Sequence, residues 1–150
     1  MNLAFIVLPP FVRPVDGAVT SRWSPRFKPD SRLPAVEFHD GWDLAATVGT
    51  PVRAAAPGRV EAVGEDAVSG KWVRVRHLFG FSSFYAHLSS VSVRTGALIP
   101  IPALSPLGRS GSTGRSTGPH LHFELRLGSW ALPPGPFLTY HTLRRFVLGF

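Results

Sequence analysis

The chain is predicted to fold as an all-β domain, a compact two-sheet antiparallel β-sandwich or open barrel, and three observations predict it. Fifteen glycines and fifteen prolines cut its 150 residues into short runs bounded by turn formers. Between them, β-branched and aromatic residues alternate with polar ones, most cleanly over His120–Leu127. There Leu121, Phe123, Leu125 and Leu127 take one face, and His120, His122, Glu124 and Arg126 the other. A hydrophobic content of 44% is enough for one sizeable core.

Taken in order, the elements begin with an apolar stretch, Met1–Pro10, that resembles part of a signal h-region. It lacks a basic n-region and a small-residue cleavage site before Arg13, so it does not read as a signal peptide. Strands are predicted at Ala18–Trp23, Trp42–Ala46, Val52–Ala54, Arg59–Val63, Trp72–His77, Ser82–Leu88 and His120–Leu127. The Pro- and charge-rich Ser24–Glu37 and the Gly/Ser-rich Arg109–Gly118 read as loops walling a cleft. Ile99–Pro106 holds three prolines where a ladder would need N–H donors, which predicts an edge or a loop. Leu143, Phe146, Val147 and Phe150 are spaced for one face of a short C-terminal helix or docked tail over Thr139–Phe150. There is no internal repeat, and no run approaches the ~20 apolar residues that span a bilayer.

The chemistry concentrates in two places. His120 and His122 lie on one face of their strand, roughly 7 Å apart. His39-Asp40-Gly41-Trp42-Asp43 has even spacing too, with Gly41 between His39 and Asp43 offering no side chain to block an ion. Two histidines and one carboxylate, with a fourth position for water, is the ligand count of a catalytic rather than a closed structural zinc site. Cysteine is absent, which excludes disulfides, zinc fingers and thiolate-held clusters.

These residues resemble the M23 family of metallopeptidases, the lysostaphin and LytM-type zinc endopeptidases that cut peptide bonds in bacterial peptidoglycan. The likeness runs through Val19–Trp23, His39-x-x-x-Asp43, Gly49–Val60, Tyr85-Ala86-His87-Leu88-Ser89 and Gly111–Glu124, covering roughly Val19 to Leu138. It implies an active-site groove and one zinc ion per chain held by His39, Asp43 and His122, with His87 and His120 as catalytic histidines that do not bind the metal. Which of those two is the base stays open. Glu124 is either a partner of His122 or an ordinary edge residue, His77 has a structural or rim role, and His141 is a surface residue. Tyrosine occurs only at Tyr85 and Tyr140, so no tyrosine upstream of His39 can assist an oxyanion.

By the same resemblance the domain spans 19–138, between an N-terminal extension, 1–18, and a C-terminal tail, 139–150. The extension is too short for a folded inhibitory segment, so no built-in latency is expected. The implied partners are peptidoglycan stem or cross-bridge peptides, and the implied location is extracellular, periplasmic or wall-associated, with a phage-associated origin as another source. A net charge of +7, nearly all from arginine, suits anionic cell-wall polymers. The basic residues are scattered and form no recognised nucleic-acid motif, so no specific nucleic acid is expected. The alternative to an enzyme is a non-enzymatic LytM-like module that binds wall or activates a partner amidase. Such relatives lack one or more of the five site residues, and this chain keeps all five.

Overall fold

The computed structural model describes residues 11–28, 35–104 and 106–139. Their strands are β1 (Phe11–Val12), β2 (Val19–Ser21), β3 (Ser24–Lys28), β4 (Ala35–His39), β5 (Trp42–Ala45), β6 (Pro51–Arg53), β7 (Gly58–Asp66), β8 (Gly70–Arg76), β9 (Phe81–Val91), β10 (Leu98–Ile99), β11 (Pro106–Ser110), β12 (His120–Leu127), β13 (Trp130–Leu132) and β14 (Leu138–Thr139). The main sheet runs β10-β7-β8-β9-β12-β5-β2, with β11 joining β9 to β6 and β13 beside β12. Its pairings are antiparallel and its two ends do not meet, so the sheet is open, as expected.

Alternation decides what each face does. On β12, Leu121, Phe123 and Leu125 are fully buried, while His120, His122, Glu124 and Arg126 are half-buried on the opposite face. Tyr85, Leu88, Val73, Val75, Val60, Val52 and Leu107 complete the same core from neighbouring strands. Phe11 and Val15, upstream of the boundary expected at Val19, belong to that cluster, and Val12 donates its N–H to Ala55 at 2.7 Å. β1 and β14 form a parallel pair, a departure from the antiparallel pattern.

The seven predicted strands are present, with β7 and β9 longer than expected. Ser24–Glu37, expected as a loop, instead supplies β3 and most of β4, paired from Ser24↔His39 to Lys28↔Ala35. This two-stranded ribbon lies outside the main sheet, where Pro25's missing donor costs no central ladder bond. Leu98–Ile99 forms an edge strand, in keeping with the prolines that follow it. Met1–Pro10 and residues 140–150, which carry the signal-like stretch, His141 and nearly all of the expected C-terminal helix, lie outside the described residues. No helix among the described residues is long and apolar enough to cross a membrane.

Candidate active site

Register brings the site together. β12 lies between β5 and β9, with His122 opposite Asp43 on one side and Ala86 on the other. His39 and Asp43 do not share one extended segment, as the even spacing suggested. β4 ends at His39, the chain bends through Asp40-Gly41, and β5 begins at Trp42, so the two side chains meet across a corner. Gly41 is required for a different reason than clearance for an ion. A Cβ there would stand 2.3 Å from the Phe123 carbonyl oxygen, so the bend can cross β12 only without a side chain.

Three ligand-type atoms converge at this corner. His39 Nε2 lies 3.2 Å from Asp43 Oδ1 and 3.2 Å from His122 Nδ1, and His122 Nδ1 lies 2.9 Å from Asp43 Oδ1. Their outer partners fix which atom faces inward. The Arg22 carbonyl can only accept, so His39 Nδ1–H donates to it at 2.8 Å and Nε2 is left as a lone pair. His122 Nε2–H donates to Glu124 Oε1 at 3.1 Å, leaving Nδ1 inward. Glu124 is thus a partner of His122, and it is held in turn by Arg126 Nε at 2.8 Å, whose Nη2 reaches Asp40 at 3.2 Å. Carbonyl and carboxylate partners of this kind orient metal-binding imidazoles.

The triangle fits a tetrahedral ion. Bonds of about 2.0–2.1 Å give a tetrahedral edge of about 3.3 Å, close to the three separations. Without a cation, a proton must lie between these atoms, and the electrostatics reflect it. Burial works against the Asp43 carboxylate, yet the imidazoles of His122 and His39 against it hold its carboxyl far below the usual range. Burial likewise opposes charge on His122, but Asp43 and Glu124 push it up to about 9. Arg26, from β3, donates to Asp43 Oδ2 at 3.1 Å and also bonds Ser21 Oγ, leaving Oδ1 as the inward oxygen.

His87 and His120 stand beside this triangle with ring centroids 4.7 Å apart, and His87 lies 6.0 Å from His122. Strict alternation from buried Tyr85 would send His87 into the core. The β9 ladder instead slips between Tyr85 and Leu88, where one residue of β8, Trp72, opposes two of β9, Ala86 and His87, and His87 takes φ 61°. This bulge returns Leu88 to the core and puts His87 on the cleft wall. A non-glycine residue there costs roughly 1–2 kcal/mol, the kind of strain found at working sites. The Thr113 carbonyl accepts from His87 Nδ1–H at 2.8 Å, and the Gly118 carbonyl from His120 Nδ1–H at 2.8 Å. Each ring therefore has Nε2 as its available nitrogen. Burial lowers the His87 pKa, with the Thr113 carbonyl opposing, so this imidazole is neutral near pH 7.

The rings open into a cleft of about 440 Å³, walled by Arg26, Glu37 and Phe38 on the β3–β4 side and by Arg115, Ser116 and Thr117 opposite. Arg22, Thr113 and Gly118 had no legible role in the sequence, because each acts through its main-chain carbonyl. His77 lies away from the rings. Its Nδ1–H donates to Pro57 O at 2.8 Å and its Nε2 accepts from Ser83 Oγ at 2.7 Å, a structural role.

The model of Peptidase family M23 matches residues 37–134. The DD-carboxypeptidase/endopeptidase Mpg of Neisseria gonorrhoeae is 44% identical over 97 residues, 65% of this chain and 22% of that protein. The peptidoglycan DD-endopeptidase ShyA of Vibrio cholerae is 37% identical over 112 residues, 71% of this chain and 26% of its own length. The chain thus spans about a quarter or less of these curated relatives. Among solved structures, a zinc-containing peptidase from Vibrio cholerae superposes with TM-score 0.76 at 31% identity, covering 82% of this chain and 38% of that one. The catalytic domain of lysostaphin from Staphylococcus simulans gives 0.70 at 29% identity, covering 81% and 91%. With that match spanning the corner, His87 and His120, this chain belongs to peptidase family M23.

Proposed function

We propose that this domain is a zinc-dependent endopeptidase that hydrolyses peptide bonds of bacterial peptidoglycan, working outside the cytoplasm on stem or cross-bridge peptides. The observation that carries the reading is the triangle of inward atoms, His39 Nε2, Asp43 Oδ1 and His122 Nδ1, with edges of 2.9–3.2 Å beside two further imidazoles. One zinc ion would be held by these three residues, supplying a Lewis acid for the peptide carbonyl and lowering the pKa of a water near it. His87 and His120 are the proton-handling groups. His87, neutral and fixed by Thr113, takes the proton of the attacking water at Nε2, and that proton leaves on the departing amine; His120, its Nδ1–H held by Gly118, presents Nε2 beside it to relay the same proton. Glu124 and Arg126 keep the His122 ring from turning.

The DD-endopeptidase names of ShyA and its relatives support the substrate class. The carboxylates that line the cleft, Glu37, Asp40, Asp43 and Glu124, are each held by an arginine or a histidine, which favours peptide over glycan. The basic surface suits anionic wall polymers as a secondary attraction. Zinc-loaded protein incubated with purified peptidoglycan is expected to release new amino termini without new reducing sugar ends. Zinc-loaded protein that cuts no peptidoglycan from any source would leave the non-enzymatic wall-binding or amidase-activating module in its place.

A further inference from the structure

The cleft floor continues beyond the histidines. Glu124, Phe84 and Arg74 are register partners on β12, β9 and β8, so they share the sheet face that carries His122. Phe84 and Glu124 line the cleft, and Arg74 lines the adjoining depression with Arg76, Ser82 and Arg126. The Arg74 guanidinium carbon is 5.9 Å from the Trp72 ring centroid and 5.5 Å from that of Phe84, and the two rings are 5.5 Å apart. Trp72 is itself seated on the sheet, because a Cβ on its partner Gly64 would stand 2.5 Å from the indole.

Neighbouring arginines are neutralised: Arg76 by Glu61, Arg126 by Glu124 and Asp40, Arg115 by Glu37, Arg26 by Asp43. Arg74 is exposed and, among the described residues, has aromatic partners but no carboxylate. A guanidinium laid on two rings has already given up side-chain freedom, and its planar fork still offers donors to an anion. Strands about 4.8 Å apart put the Arg74 backbone roughly 10 Å from that of Glu124, about three residues of extended peptide.

We propose that Arg74 is a specificity-determining residue that binds a carboxylate of an acidic peptide substrate, about two to four residues from the scissile bond on the Phe84 side of the cleft. The assignment rests on the peptidase reading above and names the charge that the substrate must carry. The test uses the full zinc-loaded chain and two sets of cross-linked peptide dimers from peptidoglycan, one with free carboxylates and one with those groups converted to primary amides. The wild type is expected to favour the free-carboxylate set at least about tenfold in kcat/KM, a typical loss for one charge-assisted contact. Arg74→Gln should bring that ratio to about one and Arg74→Lys should restore part of it, with zinc stoichiometry at one throughout. A wild type without preference, or an Arg74→Gln variant that slows both sets equally, overturns the proposal while leaving the peptidase reading intact. If the wild type cuts neither set, the peptidase reading fails, and direct binding of the same two sets decides Arg74: a carboxylate preference lost in Arg74→Gln sustains it, and equal binding overturns it.

Discussion

Tyr85→Phe removes one oxygen from a fully buried chain of hydrogen bonds whose directions are all determined. The Pro57 carbonyl can only accept, so His77 donates to it through Nδ1 at 2.8 Å and must accept at Nε2. Ser83 Oγ therefore donates to His77 at 2.7 Å, Tyr85 OH donates to Ser83 at 2.7 Å, and the Ala55 N–H donates to the Tyr85 oxygen at 2.7 Å. Phenylalanine leaves the Ala55 N–H without an acceptor, about 1–3 kcal/mol, and takes the donor from Ser83, about 1 kcal/mol more. Tyr85 and Ala55 are both 0% exposed, so water has no route to repair the loss. The expected cost is about 2–4 kcal/mol, or roughly 6–12 °C in Tm for a chain of this size. Thermal and urea unfolding of zinc-free protein would show a lower midpoint at unchanged m, while zinc stoichiometry and kcat per folded molecule stay at wild-type values. A loss under about 0.5 kcal/mol would refute the directed chain. Loss of zinc or turnover with stability intact would show that Tyr85 serves the cleft rather than the core.

The same chain predicts acid sensitivity. Burial holds His77 neutral in the folded state, below its ordinary pKa of about 6.5, so its contribution is complete above that pH and fades as pH falls towards the lowered value, with a slope of at most about 1.4 kcal/mol per unit that His77→Phe should flatten. His122 gives zinc-free protein the opposite limb: its raised pKa stabilises below about 6.5 and is lost as pH rises through about 9, and zinc binding near pH 7.5 should release close to one proton in calorimetry across buffers. His122→Ala should lose zinc, whereas His87→Ala should keep it and lose about 10²-fold or more in rate; wild-type cleavage by His87→Ala would sink the proton-handling role. At φ 61° glycine carries no steric penalty, so His87→Gly should be no less stable than His87→Ala, and more stable by up to about 1 kcal/mol in urea titration.

What the sequence shows and what it hides separate along physical lines. β12 was legible in full because one face meets the core and the other the cleft, which writes the strand as alternation. His39, Asp43 and His122 were legible as candidate ligands through the family resemblance, yet the reason for Gly41 was not, because the Phe123 carbonyl that excludes a Cβ lies 82 residues on in the chain. The β3–β4 ribbon was hidden by its composition: a two-stranded pair outside the main sheet carries the proline and charges that also mark a loop. His87 is the sharpest case. Alternation from Tyr85 assigns it to the core, and only the slip in register between β8 and β9 turns it outward.

That slip also explains why one threonine matters beyond its side-chain chemistry. Bulging at Ala86–His87 interrupts the β8–β9 ladder, and Thr113 spans the gap: its hydroxyl donates to Leu88 O at 2.7 Å and accepts the Lys71 N–H at 3.1 Å. Those two bonds hold the main chain of Thr113 in place, and the carbonyl so fixed is the one that takes the His87 Nδ1 proton. Gly70 is required at the same point, since a Cβ there would stand 2.2 Å from the Thr113 hydroxyl oxygen. The group that repairs the distorted ladder is thus the group that sets the His87 tautomer. The strain at His87 and the availability of its Nε2 to a substrate are consequences of a single local arrangement.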